Sequence, residues 1–194
     1  MHLSLVRHRF LQGLQLLLVL ACVWSGAARG QGVELAALQT SQSDGALNLE
    51  FAARVTLPGA VEEALQRGVP LYFVAEARLL RSRWYWRDER VARVSRTWRI
   101  VYQPLTGTWR VGLGGLHQTH ATLAEALSAA SRSAGWKLAE LSQLDPDASY
   151  YVEFSYRLDT SQLPGPIQFG IGGLGDTGEW AVGVQRVLRL EAGP

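Results

Sequence analysis

Apolar and polar residues alternate with a period of two along several long segments of this chain. The clearest segment runs from Leu47 to Leu57, and the same alternation recurs in three others, from Val69 to Leu79, Val94 to Tyr102 and Tyr150 to Leu158. Successive side chains of a strand point to opposite faces of its sheet. The pattern therefore predicts strands with one buried and one solvated face, as in antiparallel sheets.

Proline and glycine mark the ends of these segments. Pro104-Leu105-Thr106-Gly107 combines a proline whose φ suits a bend with a glycine that can close it, which predicts a turn. Residues 109–113 should return as the partner strand of that hairpin. The glycine-rich stretch 170–178 predicts a loop, and an apolar run from Trp180 to Leu190 predicts a closing strand.

Helical spacing is confined to two short stretches. Apolar residues at 61, 64 and 65 fit one face of a short helix that ends before Gly68. The stronger prediction is a helix over residues 122–134, because Thr122 and Glu125 have the spacing of a capping box and Gly135 is expected to end the helix.

These elements predict a mainly β fold of about seven or eight strands. We expect an antiparallel two-sheet β-sandwich, immunoglobulin-like, with one inserted helix near residues 122–134. An open sheet backed by that helix is the alternative. Residues 31–194 are long enough for one domain with a proper core, and they are predicted to form a single β-sandwich domain.

Residues 1–30 have the layout of a signal peptide. Two arginines, Arg7 and Arg9, precede an apolar run from Phe10 to Trp24, and small residues follow up to Gly30. Cleavage after Ala28 or after Gly30 would release the chain into the periplasm or cell envelope.

The same leader allows two other outcomes. An uncleaved leader would act as an N-terminal anchor, with Trp24 at the membrane interface. Alternatively, Val19-Leu20-Ala21-Cys22 would be a lipoprotein box with lipidation at Cys22. Because Cys22 is the chain's single cysteine, a disulfide framework and a multi-cysteine metal site are both excluded.

The net charge conceals an uneven distribution. The chain has 19 basic and 17 acidic residues, but its first thirty residues hold three arginines and no acid. The remainder is close to neutral, which argues against a nucleic-acid partner. Within it, eight arginines are concentrated between residues 78 and 99. They are Arg78, Arg81, Arg83, Arg87, Arg90, Arg93, Arg96 and Arg99.

This stretch is the main candidate for a binding site. With Asp88 and Glu89 it carries a charge of +6, and aromatic residues are interleaved with its arginines. Guanidinium groups beside aromatic rings suit phosphate, carboxylate or lipid-headgroup recognition. The candidate binding residues are Arg81, Arg83, Trp84, Trp86, Arg87, Arg90 and Arg93. The possible partners are an envelope protein or an anionic headgroup or cell-wall polymer.

A purely structural interpretation of the same residues is open. Arg93 and Arg99 would lie on a solvated sheet face and pair with carboxylates such as Glu76, Glu153 or Asp159. Trp84 and Trp86 would then fill the core of the sandwich, whereas the binding hypothesis places them on the surface.

Signatures of catalysis are sparse. His117 and His120 have too few neighbouring ligands for zinc, so we interpret them as polar loop residues and predict no metal and no cofactor. No Gly-x-Ser-x-Gly motif and no cysteine nucleophile outside the leader is present. We expect a non-enzyme, with a periplasmic hydrolase as the remaining alternative.

Several short motifs occur together in a recognisable order. They are Glu63-Ala64-Leu65, Gly68-Val69-Pro70-Leu71, Arg83-Trp84-Tyr85-Trp86, Ala121-Thr122-Leu123 and Leu163-Pro164 with Pro166-Ile167-Gln168. Over roughly residues 35–190 this order resembles the DUF4390 family of proteobacterial envelope proteins. The resemblance implies an exported or membrane-anchored protein with no assigned activity. It also implies an accessory role beside a sensor histidine kinase, whose periplasmic part would be the partner.

Overall fold

Two antiparallel β-sheets face each other in the computed structural model, which describes residues 32–85, 87–162 and 182–190. The nine strands are β1 (Gly32–Ser43), β2 (Ala46–Thr56), β3 (Leu71–Arg81), β4 (Glu89–Gln103), β5 (Thr108–Leu113), β6 (Leu116–His120), β7 (Arg132–Glu140), β8 (Tyr150–Leu158) and β9 (Gly183–Arg189). The smaller sheet has the order β1-β2-β7, and the larger has the order β6-β5-β4-β3-β8-β9. This arrangement confirms the predicted two-sheet β-sandwich.

Each strand with clear alternation was predicted, whereas β1, β6 and β7 were missed. Both β1 and β7 contain register shifts against β2, so their apolar residues change parity part-way along. A β-bulge inserts a residue and thereby breaks the period-two pattern. The five residues of β6 are mostly exposed and carry no apolar alternation.

The helices correct one prediction. Helix α1 spans Gly59–Gln66, which confirms the short helix expected before Gly68, although the fold was expected to have one inserted helix. Helix α2 spans Leu123–Ala130, so the helix predicted over 122–134 is too long. The chain leaves α2 at Ser131 and enters β7, in which Gly135 has φ +57°. Gly135 therefore lies within an irregular strand and does not cap a helix.

The predicted capping box at the start of α2 forms. The Thr122 hydroxyl accepts a hydrogen bond from the Glu125 N–H at 3.2 Å, and the Glu125 carboxylate accepts one from the Ala121 N–H at 3.1 Å. The first contact satisfies a donor that the first turn of a helix leaves unpaired, and the second reaches one residue beyond the N-cap, to Ala121. Neither α1 nor α2 has the length or the apolar character that a membrane crossing requires, and the same holds for every helix of the described residues.

Aromatic side chains fill the space between the sheets. Five rings come together there, from Phe51, Trp98, Trp136, Phe154 and Tyr156. The Phe51 and Phe154 ring centroids are 4.9 Å apart. The Tyr156 hydroxyl donates to the Ala130 carbonyl at 3.0 Å, and burial raises the pKa of this phenol. The hydrogen bond satisfies the one polar group of the ring in an apolar interior.

The residues that connect β3 to β4 lie at one end of the sandwich. Arg81 ends β3 and is paired in register with Glu89 of β4 on one side and Tyr150 of β8 on the other. The turn between β1 and β2 and the loop from β7 to β8 reach the same end, because the Leu141 N–H donates to the Gly45 carbonyl at 2.8 Å. The loop predicted at residues 170–178 lies outside the described residues.

Candidate functional site

The eight arginines of the basic stretch do not form one surface. Arg81, Arg83, Arg87 and Arg90 lie at or beside the connection between β3 and β4. Arg78, Arg93 and Arg99 lie on the solvent-facing side of the six-stranded sheet, and Arg96 faces the other sheet. Strand parity therefore divides a continuous run of sequence among three environments.

Residues 82–88, here called the hairpin tip, present aromatic rings to solvent. Trp84 is 94% exposed and Tyr85 is 67% exposed. Their ring centroids are 5.2 Å apart with an interplanar angle of 73°, an edge-to-face pair. Of the two sequence interpretations of Trp84, core filling is wrong, because the residue lies beyond the last ladder pair of β3 and β4. Trp86 lies outside the described residues.

Asp88 fastens the hairpin tip to the sheet. Its carboxylate accepts a hydrogen bond from the Tyr151 hydroxyl at 2.6 Å and another from the Arg83 N–H at 3.1 Å. The bond from Tyr151 lowers the pKa of Asp88, and the same bond raises the pKa of Tyr151 to about 12. Hydrogen bonds to an ionised carboxylate stabilise its charged form. The tip is therefore held on β8 as well as on its own two strands.

Two ion pairs secure the base of the hairpin tip. Arg83 pairs with Glu89, which begins β4. Arg81 pairs with Asp145 of the β7–β8 loop at 2.5 Å. The Asp145 N–H in turn donates to the Tyr150 hydroxyl at 2.8 Å. Arg81 and Arg83, two of the predicted binding residues, are thus committed to contacts within the fold.

The charge that remains uncompensated by ion pairs at the hairpin tip is positive. Asp88, Glu89 and Asp145 each have a partner within the fold. Arg87 and Arg90 are exposed, and neither pairs with any of the described residues. The tip therefore presents the unpaired Arg87 guanidinium and two exposed rings, and the unpaired guanidinium of Arg90 follows just after it, at the start of β4.

Arg93 belongs to a different environment, the solvent-facing side of the larger sheet. It donates to Glu76 at 2.7 Å, which confirms one of the cross-strand pairs expected from the sequence. Arg78 bridges Glu76 at 3.2 Å and Glu153 at 3.4 Å, and Arg99 donates to the Tyr72 hydroxyl at 3.2 Å. The hydrogen bond from Arg93 lowers the pKa of Glu76. Exposed pairs of this kind contribute only about 0–1 kcal/mol each.

The family assignment rests on most of the chain. The sequence model of DUF4390, a domain of unknown function, matches residues 30–186. The chain belongs to the DUF4390 family. No curated protein and no solved structure matches it. The matched part of this DUF4390 domain includes the whole hairpin tip and every strand from β1 to β8.

Arg96 is the one arginine of the basic stretch that faces the interior of this DUF4390 domain. Its guanidinium lies 5.2 Å from the Trp136 ring centroid and donates to the Ser133 hydroxyl at 2.5 Å. Partial burial lowers the pKa of this group. Its position was readable from the sequence, because residue 96 has the same parity as the inward-facing Val94 and Trp98.

The two histidines lie in β6 and not in the loop expected from the sequence. A Cβ on Gly112 would lie 2.8 Å from the His117 Nδ1, so the imidazole occupies the space that this glycine leaves. His120 pairs in register with Trp109 of β5. Across residues 32–85, 87–162 and 182–190, no three His, Cys, Asp or Glu side chains are grouped as metal ligands.

Proposed function

We propose that this DUF4390 domain is a non-catalytic binding module of the cell envelope that docks on anionic lipid headgroups through its hairpin tip. One observation carries the proposal. Asp88, Glu89 and Asp145 have partners within the fold, while Arg87 and Arg90, which follow the exposed rings in the sequence, have none among the described residues. An anionic surface is the complement of that arrangement.

The size of the hairpin tip favours a lipid surface over a protein partner. A stable protein interface buries about 800 Å² on each side, whereas the tip is a single seven-residue connection. Tryptophan and tyrosine are enriched where membranes meet water, because their rings are amphipathic. Each arginine near an anionic bilayer contributes about 1 kcal/mol.

The predicted leader is consistent with this role. Export directed by residues 1–30 would bring the domain to the periplasm, where a retained anchor or a lipid on Cys22 would keep it close to a bilayer. The tip would then add a second, reversible contact with the same surface.

A sedimentation assay with vesicles tests the proposal. Binding of the protein and its variants, all with the same N-terminal residues, is measured on phosphatidylglycerol-containing vesicles and on phosphatidylcholine vesicles. The double variant Arg87→Ser/Arg90→Ser should bind anionic vesicles about 30-fold more weakly, because two contributions of about 1 kcal/mol are lost.

The matched control is Arg67→Ser/Arg110→Ser, which removes the same charge elsewhere. Arg67 precedes the eleven-residue strand β3 whose far end leads to the tip, and Arg110 pairs in register with Val101, near the end of β4 that is remote from the tip. Each is separated from the tip by about 35 Å. Charges this far from the surface are screened, so binding should change less than about threefold. Equal losses in the two double variants, or unchanged binding in the tip variant, would contradict the proposal. Absence of vesicle binding, together with a crosslinked envelope protein that the tip variant loses, would establish a protein partner instead.

A further inference from the structure

A cleft of about 670 Å³ opens between the edges of the two sheets, within the usual range for small-molecule sites. Its walls come from β1, from the start of β2, from the loop that joins β7 to β8, from the first residue of β8, and from the end of β9. Six leucines line it, namely Leu38, Leu47, Leu141, Leu144, Leu188 and Leu190. Only Leu47 is buried, and the other five are half-buried. The cleft thus leaves apolar side chains in contact with solvent.

The walls of the cleft are fixed by contacts of the fold itself. The Leu141 N–H donates to the Gly45 carbonyl at 2.8 Å, and the Leu190 N–H donates to the Tyr150 carbonyl at 3.0 Å. Asp145 is held by Arg81 on one side and by the Tyr150 hydroxyl on the other. These bonds span the loop, β8 and β9, so the opening is preformed.

The charge at the cleft is positive. Asp145 and Arg189 are the charged residues that line it. The ion pair with Arg81 compensates Asp145, whereas Arg189 is exposed and has no partner among the described residues. Because Arg189 pairs with Tyr151, it points to the outer face of the sheet, whereas Leu188 and Leu190 point inward. A ligand that fills the cleft would therefore meet apolar walls, with one uncompensated guanidinium at the rim.

The cleft opens at the same end of the sandwich as the hairpin tip. The Ser82 N–H of the tip donates to the Ser149 carbonyl of the loop at 2.9 Å. Tyr151, which holds Asp88 of the tip, is paired in register with Arg189. A lipid surface that contacted the tip would therefore also adjoin the cleft.

We infer that this cleft binds a single-chain anionic amphiphile, with the acyl chain along the leucines and the anionic head at Arg189. This inference rests on the proposed function only for the source of the ligand, which the docked bilayer would supply. Binding itself requires no bilayer.

Titration calorimetry with monomeric lysolipids, below their micelle concentration, tests the inference. Lysophosphatidylglycerol should bind, and lysophosphatidylcholine of equal chain length should bind at least tenfold more weakly. Glycerol phosphate, the head without the chain, should not bind. The variant Arg189→Ser should lose the preference for the anionic head, because the guanidinium is removed while the leucines remain.

Two variants test the apolar walls. Leu144→Asp places a charge in the cleft and should reduce lysophosphatidylglycerol affinity at least tenfold, whereas Leu105→Asp, at a fully exposed turn position, should not. If Leu144→Asp fails to fold, Leu144→Trp fills the same space without a charge and should weaken binding as well. Unchanged affinity in a folded Leu144 variant would overturn the inference.

The vesicle and lysolipid measurements together separate this inference from the docking proposal. Arg87→Ser/Arg90→Ser should lose vesicle binding and keep lysolipid binding. Wild-type protein that binds anionic vesicles but no lysophosphatidylglycerol would overturn the cleft inference alone. Lysolipid binding without a tip-dependent vesicle contact would overturn the docking proposal alone.

Discussion

Two groups of aromatic residues in this domain have opposite environments. Phe51 and Phe154 are buried between the sheets with their ring centroids 4.9 Å apart. Trp84 and Tyr85 are in contact with each other at 5.2 Å, yet both are exposed. Contact between rings is common to both groups, so it does not explain the difference.

The difference arises from the backbone. The buried rings occur at alternate positions of paired strands, where parity directs them to the interior. Trp84 and Tyr85 lie in a connection that is outside the ladder and is fastened by Asp88 to Tyr151. Burial of the inner group stabilises the fold, whereas exposure of the outer group leaves its surface available to a ligand. Substitutions in the two groups should therefore separate stability from binding.

The largest loss of stability is expected for Phe51→Ala, in the group of rings buried between the sheets. Phe51 is fully buried against four other rings, and such truncations cost about 3–5 kcal/mol because they leave a cavity. Urea unfolding followed by circular dichroism measures this loss. A cost below about 1 kcal/mol would mean that the two groups do not differ as described.

A smaller loss is expected for Tyr156→Phe, which removes one hydroxyl from the interior. The Ala130 carbonyl would lose its donor, and a buried group left without a partner costs about 1–3 kcal/mol. The same unfolding assay applies, with Tyr72→Phe on the outer face as the control. Tyr72 is part-exposed and its hydroxyl can be replaced by water, so the control should change little.

The contact between Asp88 and Tyr151 predicts a pH dependence at the tip. The folded pKa of Tyr151 is raised from 10.0 to about 12, so its stabilising contribution is complete below pH 10 and is lost as the pH rises to about 12. The lowered pKa of Asp88 means that its contribution is lost in acid, below its ordinary value of 3.8. Tyrosinate absorbance near 295 nm should show Tyr151 titrating earlier in Asp88→Asn. An unchanged titration would show that this contact does not form.

The smallest effect on stability is expected in the outer group. Trp84→Ser/Tyr85→Ser should leave the free energy of unfolding within about 0.5 kcal/mol of wild type, because surface side chains contribute little to the core. Urea unfolding measures the difference. A loss as large as that of Phe51→Ala would mean that these rings are buried in solution.

The sequence predicted the alternating strands and therefore the sandwich, but it concealed the site. Strands β1 and β7 were missed because bulges shift their parity, and α2 was overextended because Gly135 serves a strand. The contacts that fix the hairpin tip join residues far apart in the chain, such as Asp88 with Tyr151. Periodicity reports local conformation and cannot reveal which carboxylates find partners. The distinction between Arg81, which is paired, and Arg87, which is not, therefore required the structure.

Fluorescence quenching by brominated lipids tests the central claim most directly, because bromine quenches only tryptophans that reach the bilayer. A parent protein in which Trp24, Trp86 and Trp180 are replaced by Phe is compared with the same protein carrying Trp84→Phe, on anionic vesicles with and without the brominated lipid. We expect strong quenching in the parent and clearly reduced quenching in the Trp84→Phe variant, since the tryptophans that remain, Trp98, Trp109 and Trp136, are buried in the sandwich. Bound protein whose quenching is the same in both would contradict the account, because the hairpin tip would then not be the surface that meets the lipid.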